Sequence, residues 1–138
     1  MRLRSLLFVP ADRPERFAKA AASGADAIIL DLEDSVTPTN KSKGRECVAE
    51  FLKSHVDLPV IVRVNPLDGQ ETARDLAAVL PHPPAGVMLP KAEGAKSVNR
   101  LVELMQGEAI PILPIVTETP IAIFELGTYR EVTTPLMG

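Results

Sequence analysis

Acidic residues cluster directly after one apolar run of the sequence. Residues 28–30 (IIL) are followed at once by Asp31, Glu33 and Asp34. A short apolar, partly β-branched run predicts a strand buried on both faces. Carboxylates are rarely buried without a partner, so acids at the end of such a strand indicate a cation or a hydrogen-bond donor. An acidic loop that caps the next helix would give the same pattern, and this stretch alone favours neither interpretation.

Two more charged residues stand inside or after apolar runs. Arg63 interrupts the run VIVRV, where a strand buried on both faces has no use for a guanidinium. Its planar fork suits a carboxylate, a phosphate or a developing enolate oxygen, and the alternative is an ion pair with Glu33 or Asp34 on the neighbouring strand. Glu118 follows the run ILPIV. It can contribute to a Mg²⁺ site, which one or two carboxylates commonly hold, or cap the helix that follows.

Basic residues supply candidate anion contacts. Arg13, Arg16 and Lys19 lie at the start of a predicted helix and can bind the phosphates of a large anionic ligand. Solvated surface charge is the commoner outcome for Arg16 and Lys19. Lys91 would suit a Schiff base if burial lowered its pKa, but Glu93 close by favours the charged ammonium. Lys91 therefore joins Arg13, Lys19 and Arg63 as a candidate substrate contact.

The elements that position these residues alternate regularly along the chain. Strands are predicted at residues 5–9, from residue 27, and at residues 60–64, 86–89 and 112–116, with the start of a sixth at 135–138. Helices are predicted at residues 14–23, 41–54, 71–80, 95–105 and 121–129. Strand and helix in alternation indicate parallel strands joined by right-handed crossovers.

Two architectures share this alternation, the doubly wound sheet and the (β/α)8 barrel. The turn after the first strand, residues 10–14, has no glycine that would let a pyrophosphate approach the backbone, which disfavours a dinucleotide-binding sheet. Every predicted strand ends in polar or charged residues, and in a barrel those ends form the active-site rim. The sequence thus predicts an α/β fold of the (β/α)8 TIM-barrel type, with residues 1–138 as a single domain that supplies about the first five βα units.

Composition narrows the class of protein. The 138 residues carry a formal net charge of −3 and no basic run, which disfavours nucleic acid or an anionic membrane as the main partner. No apolar run approaches the ~20 residues of a membrane span. The single cysteine cannot form an internal disulfide, which favours a reducing cytoplasm.

The length conflicts with a complete barrel, which typically needs about 250 residues. Five units would leave two open strand edges and an inner face partly exposed to water. The candidates for that inner face are Leu7, Ile29, Ile61, Met88 and Ile115. We expect either that the natural polypeptide continues beyond residue 138 with the remaining strands and a lid, or that two copies complete one another's barrel.

A series of motifs occurs in a characteristic order: SLLFVP at 5–10, DRPERF at 12–17, DLEDSV at 31–36, RVN at 63–65, MLPKAE at 88–93 and ET at 118–119. In this combination the chain resembles the citrate lyase β-subunit-like branch of the HpcH/HpaI aldolase family. The resemblance implies a (β/α)8 barrel, often trimeric or hexameric. Such enzymes make or break a carbon–carbon bond in 3-hydroxyacyl thioesters, usually of coenzyme A, with Mg²⁺.

The resemblance also implies roles for individual residues. Arg63 would contact the substrate and Glu118 would ligate Mg²⁺. Glu33 and Asp34 would support the water shell of the metal, and the region around Arg13 would lie near the coenzyme A phosphates. A second metal carboxylate would come from the sixth strand.

These expectations define a lyase that acts on a citryl-, malyl- or citramalyl-CoA type of substrate and gives an acyl thioester and a 2-oxo acid. The carrier, coenzyme A or an acyl carrier protein, stays open. The alternative is a non-catalytic half-barrel that binds an acyl thioester or a protein partner without turnover.

Overall fold

Five parallel strands form one sheet in the computed structural model, which describes residues 3–137. The strands are β1 Leu6–Pro10, β2 Ala27–Asp31, β3 Val60–Arg63, β4 Gly86–Leu89 and β5 Ile112–Pro114. Each strand pairs in parallel with the next in chain order. A doubly wound sheet reverses its strand order at a switch point, whereas a barrel does not, so the topology matches the predicted barrel type.

A helix follows each strand. The helices are α1 Phe17–Ala21, α2 Lys41–Leu52, α3 Glu71–Val79, α4 Ala95–Leu104 and α5 Pro120–Phe124. Short 3₁₀ segments precede α1 and α2 and follow α5. In residues 3–137, no helix has the length and apolar character needed to cross a membrane.

The last helix departs from the prediction of one element over residues 121–129. α5 is short and continues as a 3₁₀ helix, Leu126–Glu131, after Glu125 adopts a non-helical backbone (φ −94°, ψ 0°). The Thr128 hydroxyl and the Thr128 amide both donate to the Glu125 carbonyl, at 2.7 and 3.0 Å, which is the i to i+3 pattern of a 3₁₀ helix rather than of an α-helix. Threonine and glycine are weak helix formers, which explains why the α-helix ends here.

β2 lies at the centre of the packing, since all five of its residues are buried. Ile28 and Leu30 point into the main core between the sheet and the helices, whereas Ile29 belongs to a second cluster on the opposite face. Because side chains alternate along a strand, this arrangement confirms the prediction of a strand buried on both faces.

The second cluster forms the inner face of the sheet. Its buried members are Ala27, Ile29, Ile61 and Met88, and Ile115 packs against them, so four of the five predicted inner residues are confirmed. The expectation that the inner face is partly open to water is wrong for Ile29, Ile61 and Met88, whose exposed fractions are 0%, 0% and 5%. Leu3 and Met137 pack against them, which explains why they are buried.

Leu7 is the inner-face prediction that is wrong. It pairs with Ile28, which faces the helices, and Phe8 instead stands opposite Ile29. A one-residue difference in register moves a side chain to the other face of a strand. Phe8 is 46% exposed, so the inner face is open at β1.

Residues 135–137 begin to pair beside β5, as the sequence predicts for a sixth strand. Ile112 forms an isolated parallel bridge with Leu136, and the Met137 amide donates to the Ile112 carbonyl at 2.8 Å. The last predicted residue of that strand, Gly138, lies outside the described residues.

Candidate active site

The last residues of β2 and β3 form a charged pair at the carboxyl edge of the sheet. Asp31 and Arg63 are register partners. The Arg63 Nε donates to Asp31 Oδ1 at 2.7 Å, and its Nη2 donates to Asp31 Oδ2 at 2.8 Å. This two-pronged geometry is the strong form of an arginine–carboxylate interaction. It fixes the plane of the guanidinium.

Asp31 is held from its own loop as well. It is 1% exposed and accepts hydrogen bonds from the backbone amides of Glu33 (2.9 Å) and Ser35 (3.1 Å). Burial opposes the ionisation of Asp31, but the hydrogen bonds from Arg63, Ser35 and the Glu33 amide outweigh it and hold its pKa below the usual value. Asp31 is therefore an anion in a saturated hydrogen-bond environment.

Sequence reasoning placed the ion-pair partner of Arg63 at Glu33 or Asp34 and missed Asp31. The structure pairs Arg63 with Asp31 first, and its Nη1 lies 3.1 Å from Glu33 Oε2. Within residues 3–137, the exposed Asp34 side chain forms no ion pair with it. The signal that could have identified Asp31 is positional, because the final residues of adjacent parallel strands stand side by side.

Arg63 also packs on an aromatic ring. Its Cζ lies 4.8 Å from the centroid of the Phe8 ring, a distance at which a cation–π interaction is favourable. The contact links β1 to β3 on the inner face of the sheet. Only 13% of the Arg63 side chain is exposed, so the guanidinium is held on several sides.

Glu33 has the most unusual environment in the site. Its side chain is 4% exposed, yet neither carboxylate oxygen accepts a hydrogen bond. Arg63 Nη1 at 3.1 Å and Lys91 Nζ at 3.7 Å are its ion-pair neighbours, the first without hydrogen-bond alignment and the second beyond hydrogen-bond distance. Burial raises the pKa of Glu33. The positive charges of Arg63 and Lys91 oppose this rise, and the negative charges of Asp34 and Glu118 add to it. Buried polar atoms are nearly always hydrogen-bonded, so a carboxylate with ion-pair neighbours but no hydrogen bond is an exception that needs an explanation.

The β4 and β5 units contribute Lys91 and Glu118. The Lys91 amide donates to Glu118 Oε2 at 2.6 Å. The Lys91 backbone is left-handed, with φ at 51°, and its half-exposed side chain extends toward Glu33. The structure thus brings together Glu33, Arg63, Lys91 and Glu118 from four consecutive units.

The remaining candidates lie apart from this group. Arg13 is exposed in the turn after β1, and its backbone amide donates to the Pro10 carbonyl at 3.1 Å. Lys19 is exposed on α1 and lines a surface groove along β1 with Arg16. Neither side chain forms an ion pair with a residue of the described chain.

A second charged network lies beside the site, and sequence reasoning did not identify it. Asp75 of α3 is fully buried and accepts from the Asn65 amide, from Asn65 Nδ2 and from Arg45. Burial raises the pKa of Asp75, against the effect of these hydrogen bonds. The sequence signal that could have identified this network is the acidic Asp75 among the apolar positions of the amphipathic helix α3.

Comparisons with known proteins were made for both sequence and structure. The sequence model of the HpcH/HpaI aldolase/citrate lyase family matches residues 4–123. A citrate lyase subunit beta-like protein of Mycobacterium tuberculosis H37Rv is 46% identical over 100 residues, which are 69% of this chain and 34% of that protein. The (3S)-malyl-CoA thioesterase of Cereibacter sphaeroides is 30% identical over 142 residues, 98% of this chain and 48% of that protein.

Solved structures give the same result. CitE of M. tuberculosis, in complex with magnesium, acetoacetate and coenzyme A, has a TM-score of 0.76 and 35% identity, covering 96% of this chain and 46% of that one. RipC of Yersinia pestis has a TM-score of 0.78 and 30% identity, covering 99% and 56%. The chain spans about a third to a half of the length of the proteins it matches. The chain belongs to the HpcH/HpaI aldolase/citrate lyase family, and its sheet is of that family's TIM-barrel type.

Proposed function

We propose that this chain carries part of the active site of a Mg²⁺-dependent carbon–carbon lyase. The substrate would be a 3-hydroxyacyl thioester of coenzyme A, of the citryl-, malyl- or citramalyl type, and the products an acyl thioester and a 2-oxo acid. The observation that carries the proposal is the buried Glu33 carboxylate, whose two oxygens have no hydrogen-bond partner. The CitE protein binds magnesium, acetoacetate and coenzyme A in its crystal structure, which supports the same chemistry here.

The donor set of the site fits Mg²⁺. This ion prefers oxygen ligands and is usually held by one or two carboxylates, with water and substrate oxygens in the other positions. Glu33 and Glu118 are the carboxylates that would hold it, directly or through water, and the exposed Asp34 would bond to its water shell. Bound there, Mg²⁺ supplies Lewis acidity that favours ionisation of a substrate hydroxyl.

Arg63 would stabilise the negative charge that develops on the thioester oxygen as the carbon–carbon bond breaks. Its Nε and Nη2 are engaged by Asp31, whereas Nη1 is directed to the side of Glu33. A donor fixed in place before the reaction costs no reorganisation when charge develops, and that property makes it effective. Lys91 would add a second positive charge at the same place.

Arg13 and Lys19 would contact the phosphates of coenzyme A. Arg13 lies in the turn after β1, and Lys19 borders the groove along that strand. Both side chains are exposed, so an anionic ligand can reach them at little desolvation cost. Their contribution would be mainly to affinity and would weaken at high salt.

We further propose a cytoplasmic homo-oligomer, a trimer or hexamer. The exposed Phe8 and the 86% exposed Phe124 are apolar surfaces that neighbouring subunits would cover. Sedimentation of the full protein tests this proposal. A monomer at micromolar concentration would contradict it.

One observation favours the alternative of a half-barrel that binds a thioester without turnover. Within residues 3–137, no group of three or more acidic, histidine or cysteine side chains is placed to hold a metal. If the remaining carboxylate is not supplied by further structure, binding without cleavage is expected. The two functions differ in a single measurement, the release of acetyl-CoA.

The assay follows cleavage of malyl-, citramalyl- and citryl-CoA by the full protein with and without Mg²⁺. Glu33→Gln should reduce kcat by about 100-fold or more, since it removes a charge at the reacting centre. The matched control is Glu108→Gln, which alters an exposed acid elsewhere on the chain. Equal activity of Glu33→Gln and the wild type would refute the proposed function, and binding without cleavage by the wild type would select the alternative.

A further inference from the structure

A lysine at the start of α2 donates hydrogen bonds to the backbone of the loop after β2, residues 32–36. Lys41, at the start of α2, donates from Nζ to the carbonyl of Leu32 at 2.6 Å and to the carbonyl of Glu33 at 2.7 Å. It is partly buried and forms no ion pair with a carboxylate of residues 3–137. Surface lysines usually keep the ammonium in water, so a lysine that bonds two backbone carbonyls has a specific role in fixing that backbone.

Asn65 holds the same loop from the other side. Its Nδ2 donates to the Leu32 carbonyl at 3.0 Å and to Asp75 Oδ2 at 2.8 Å. Asp75 also accepts from the Asn65 amide at 2.8 Å and from Arg45 Nη1 at 3.0 Å, so the amide group of Asn65 is oriented by a buried anion. The Leu32 carbonyl therefore has donors from both α2 and the segment after β3.

The consequence is clearest at Glu33. Its backbone amide donates to Asp31 Oδ1 at 2.9 Å, and its carbonyl accepts from Lys41. Its carboxylate accepts no hydrogen bond. The backbone of Glu33 is thus fixed at both polar groups, whereas the side chain has no hydrogen bond of its own. The backbone contacts therefore set the position and direction from which the Glu33 side chain extends toward Arg63 and Lys91.

We infer that Lys41 is a positioning residue for Glu33. By donating to the Leu32 and Glu33 carbonyls, Lys41 holds the loop so that the Glu33 side chain extends toward the cation site. The inference rests on the proposed function, in which Glu33 faces Mg²⁺. Lys41 itself would not touch the metal or the substrate. Residues that orient a metal ligand without touching the metal influence metal affinity, and their mutation typically lowers that affinity by about 10- to 100-fold.

The test is calorimetric titration of Mg²⁺ alone into the full protein. Lys41→Met, which keeps the apolar stem and removes the donors, should weaken Mg²⁺ binding by about 10-fold or more. Lys41→Arg, which keeps charge and donors, should recover most of the affinity. Lys43→Met alters an exposed lysine of the same helix and should bind Mg²⁺ as the wild type does.

A merely structural role is separated from a positioning role by a destabilised control. Val98→Ala opens a cavity under α4, at a fully buried position away from the loop, and should lower the melting temperature without changing Mg²⁺ affinity. If Lys41→Met does not melt cooperatively, Lys41→Gln replaces it, because its neutral amide nitrogen is one bond closer to the backbone than the lysine ammonium and reaches the two carbonyls less well. An intermediate affinity of that variant supports the inference, and wild-type affinity overturns it.

The outcomes distinguish the inference from the proposal on which it rests. If Glu33→Gln weakens Mg²⁺ binding and the folded Lys41→Met does not, the positioning role is wrong and the proposed function stands. If Glu33→Gln itself binds Mg²⁺ as the wild type does, the proposed function is wrong and the inference is overturned with it.

Discussion

Two buried charged clusters lie close together in this molecule and differ in one respect. In the cluster of Arg45, Asn65 and Asp75, both oxygens of the buried carboxylate are bonded. In the cluster of Asp31, Glu33 and Arg63, one carboxylate is bonded on both oxygens and the other on neither. A saturated cluster stabilises the fold, whereas an unsaturated one retains an unmet demand for a cation or a donor. The difference separates a structural network from a candidate binding site.

The largest effect is expected from breaking the saturated cluster. Asp75→Ala leaves the Asn65 amide and Arg45 without their buried partner, which should lower the free energy of unfolding by about 3–5 kcal/mol. Asp68→Ala, at an exposed position just before α3, is the control and should change it little. Urea denaturation measures both. A loss for Asp75→Ala as small as that of the control would show that this network is not structural.

The next effect separates activity from stability at Arg63. Arg63→Lys keeps the charge and loses the planar fork on Asp31, so thioester cleavage should fall about 100-fold. The free energy of unfolding should fall by only about 0.5–1.5 kcal/mol, since Asp31 keeps its hydrogen bonds to the loop amides, whereas a 100-fold loss of activity corresponds to about 2.7 kcal/mol. Kinetics and urea denaturation of the same preparation provide the comparison. Mild and equal effects on both would mean that Arg63 is structural alone.

A smaller effect is expected in the pH dependence of stability, and its sign differs between Asp31 and Glu33. The pKa of Asp31 is lowered in the folded state, so its contribution to stability is present above the unfolded pKa of about 3.9 and is lost as the pH falls through the folded value. The pKa of Glu33 is raised, so the wild type loses stability as the pH rises from about 4.3 through the folded value.

Two variants measure these opposite slopes. Relative to the wild type, Glu33→Gln should gain stability as the pH rises above about 4.3, and Asp31→Asn should lose stability as the pH rises toward about 3.9. Urea denaturation from about pH 2.5 to about pH 8 covers both windows. Parallel curves for Glu33→Gln and the wild type would show that burial of Glu33 carries no electrostatic cost.

The repeating strand–helix pattern made most of the fold predictable. Residues 86–89 were predicted as a strand, and β4 spans Gly86–Leu89. The fold predictions were wrong where contacts with neighbouring segments determine the register of a strand or the end of a helix. Leu7 and Phe8 are both apolar, so only the register with β2 determines which one faces the inner side. The change from α5 to a 3₁₀ helix involves the amide and the hydroxyl of Thr128, which both donate to the Glu125 carbonyl, and periodicity does not reveal these bonds.

The candidate site was predictable to the level of residue type and strand end. Glu33, Arg63, Lys91 and Glu118 were identified because polar residues at the ends of parallel strands share one edge. The role of Asp31 was missed, because three acids in a row look alike in sequence and only burial and pairing distinguish them. Lys41 was missed for a similar reason, since its partners are backbone carbonyls, which have no sequence signature.

In the proposed function, the Glu33 carboxylate has ion-pair neighbours but no hydrogen-bond partner because it faces a cation. The direct measurement is the free energy of unfolding of the wild type and Glu33→Gln, each with and without Mg²⁺, with Glu108→Gln as the control. Without Mg²⁺, Glu33→Gln should be at least as stable as the wild type, since it removes a buried charge with unbonded oxygens. With Mg²⁺, the wild type and the control should gain stability and Glu33→Gln should not. An equal gain in all three proteins, or a loss of stability by Glu33→Gln under both conditions, would contradict the account.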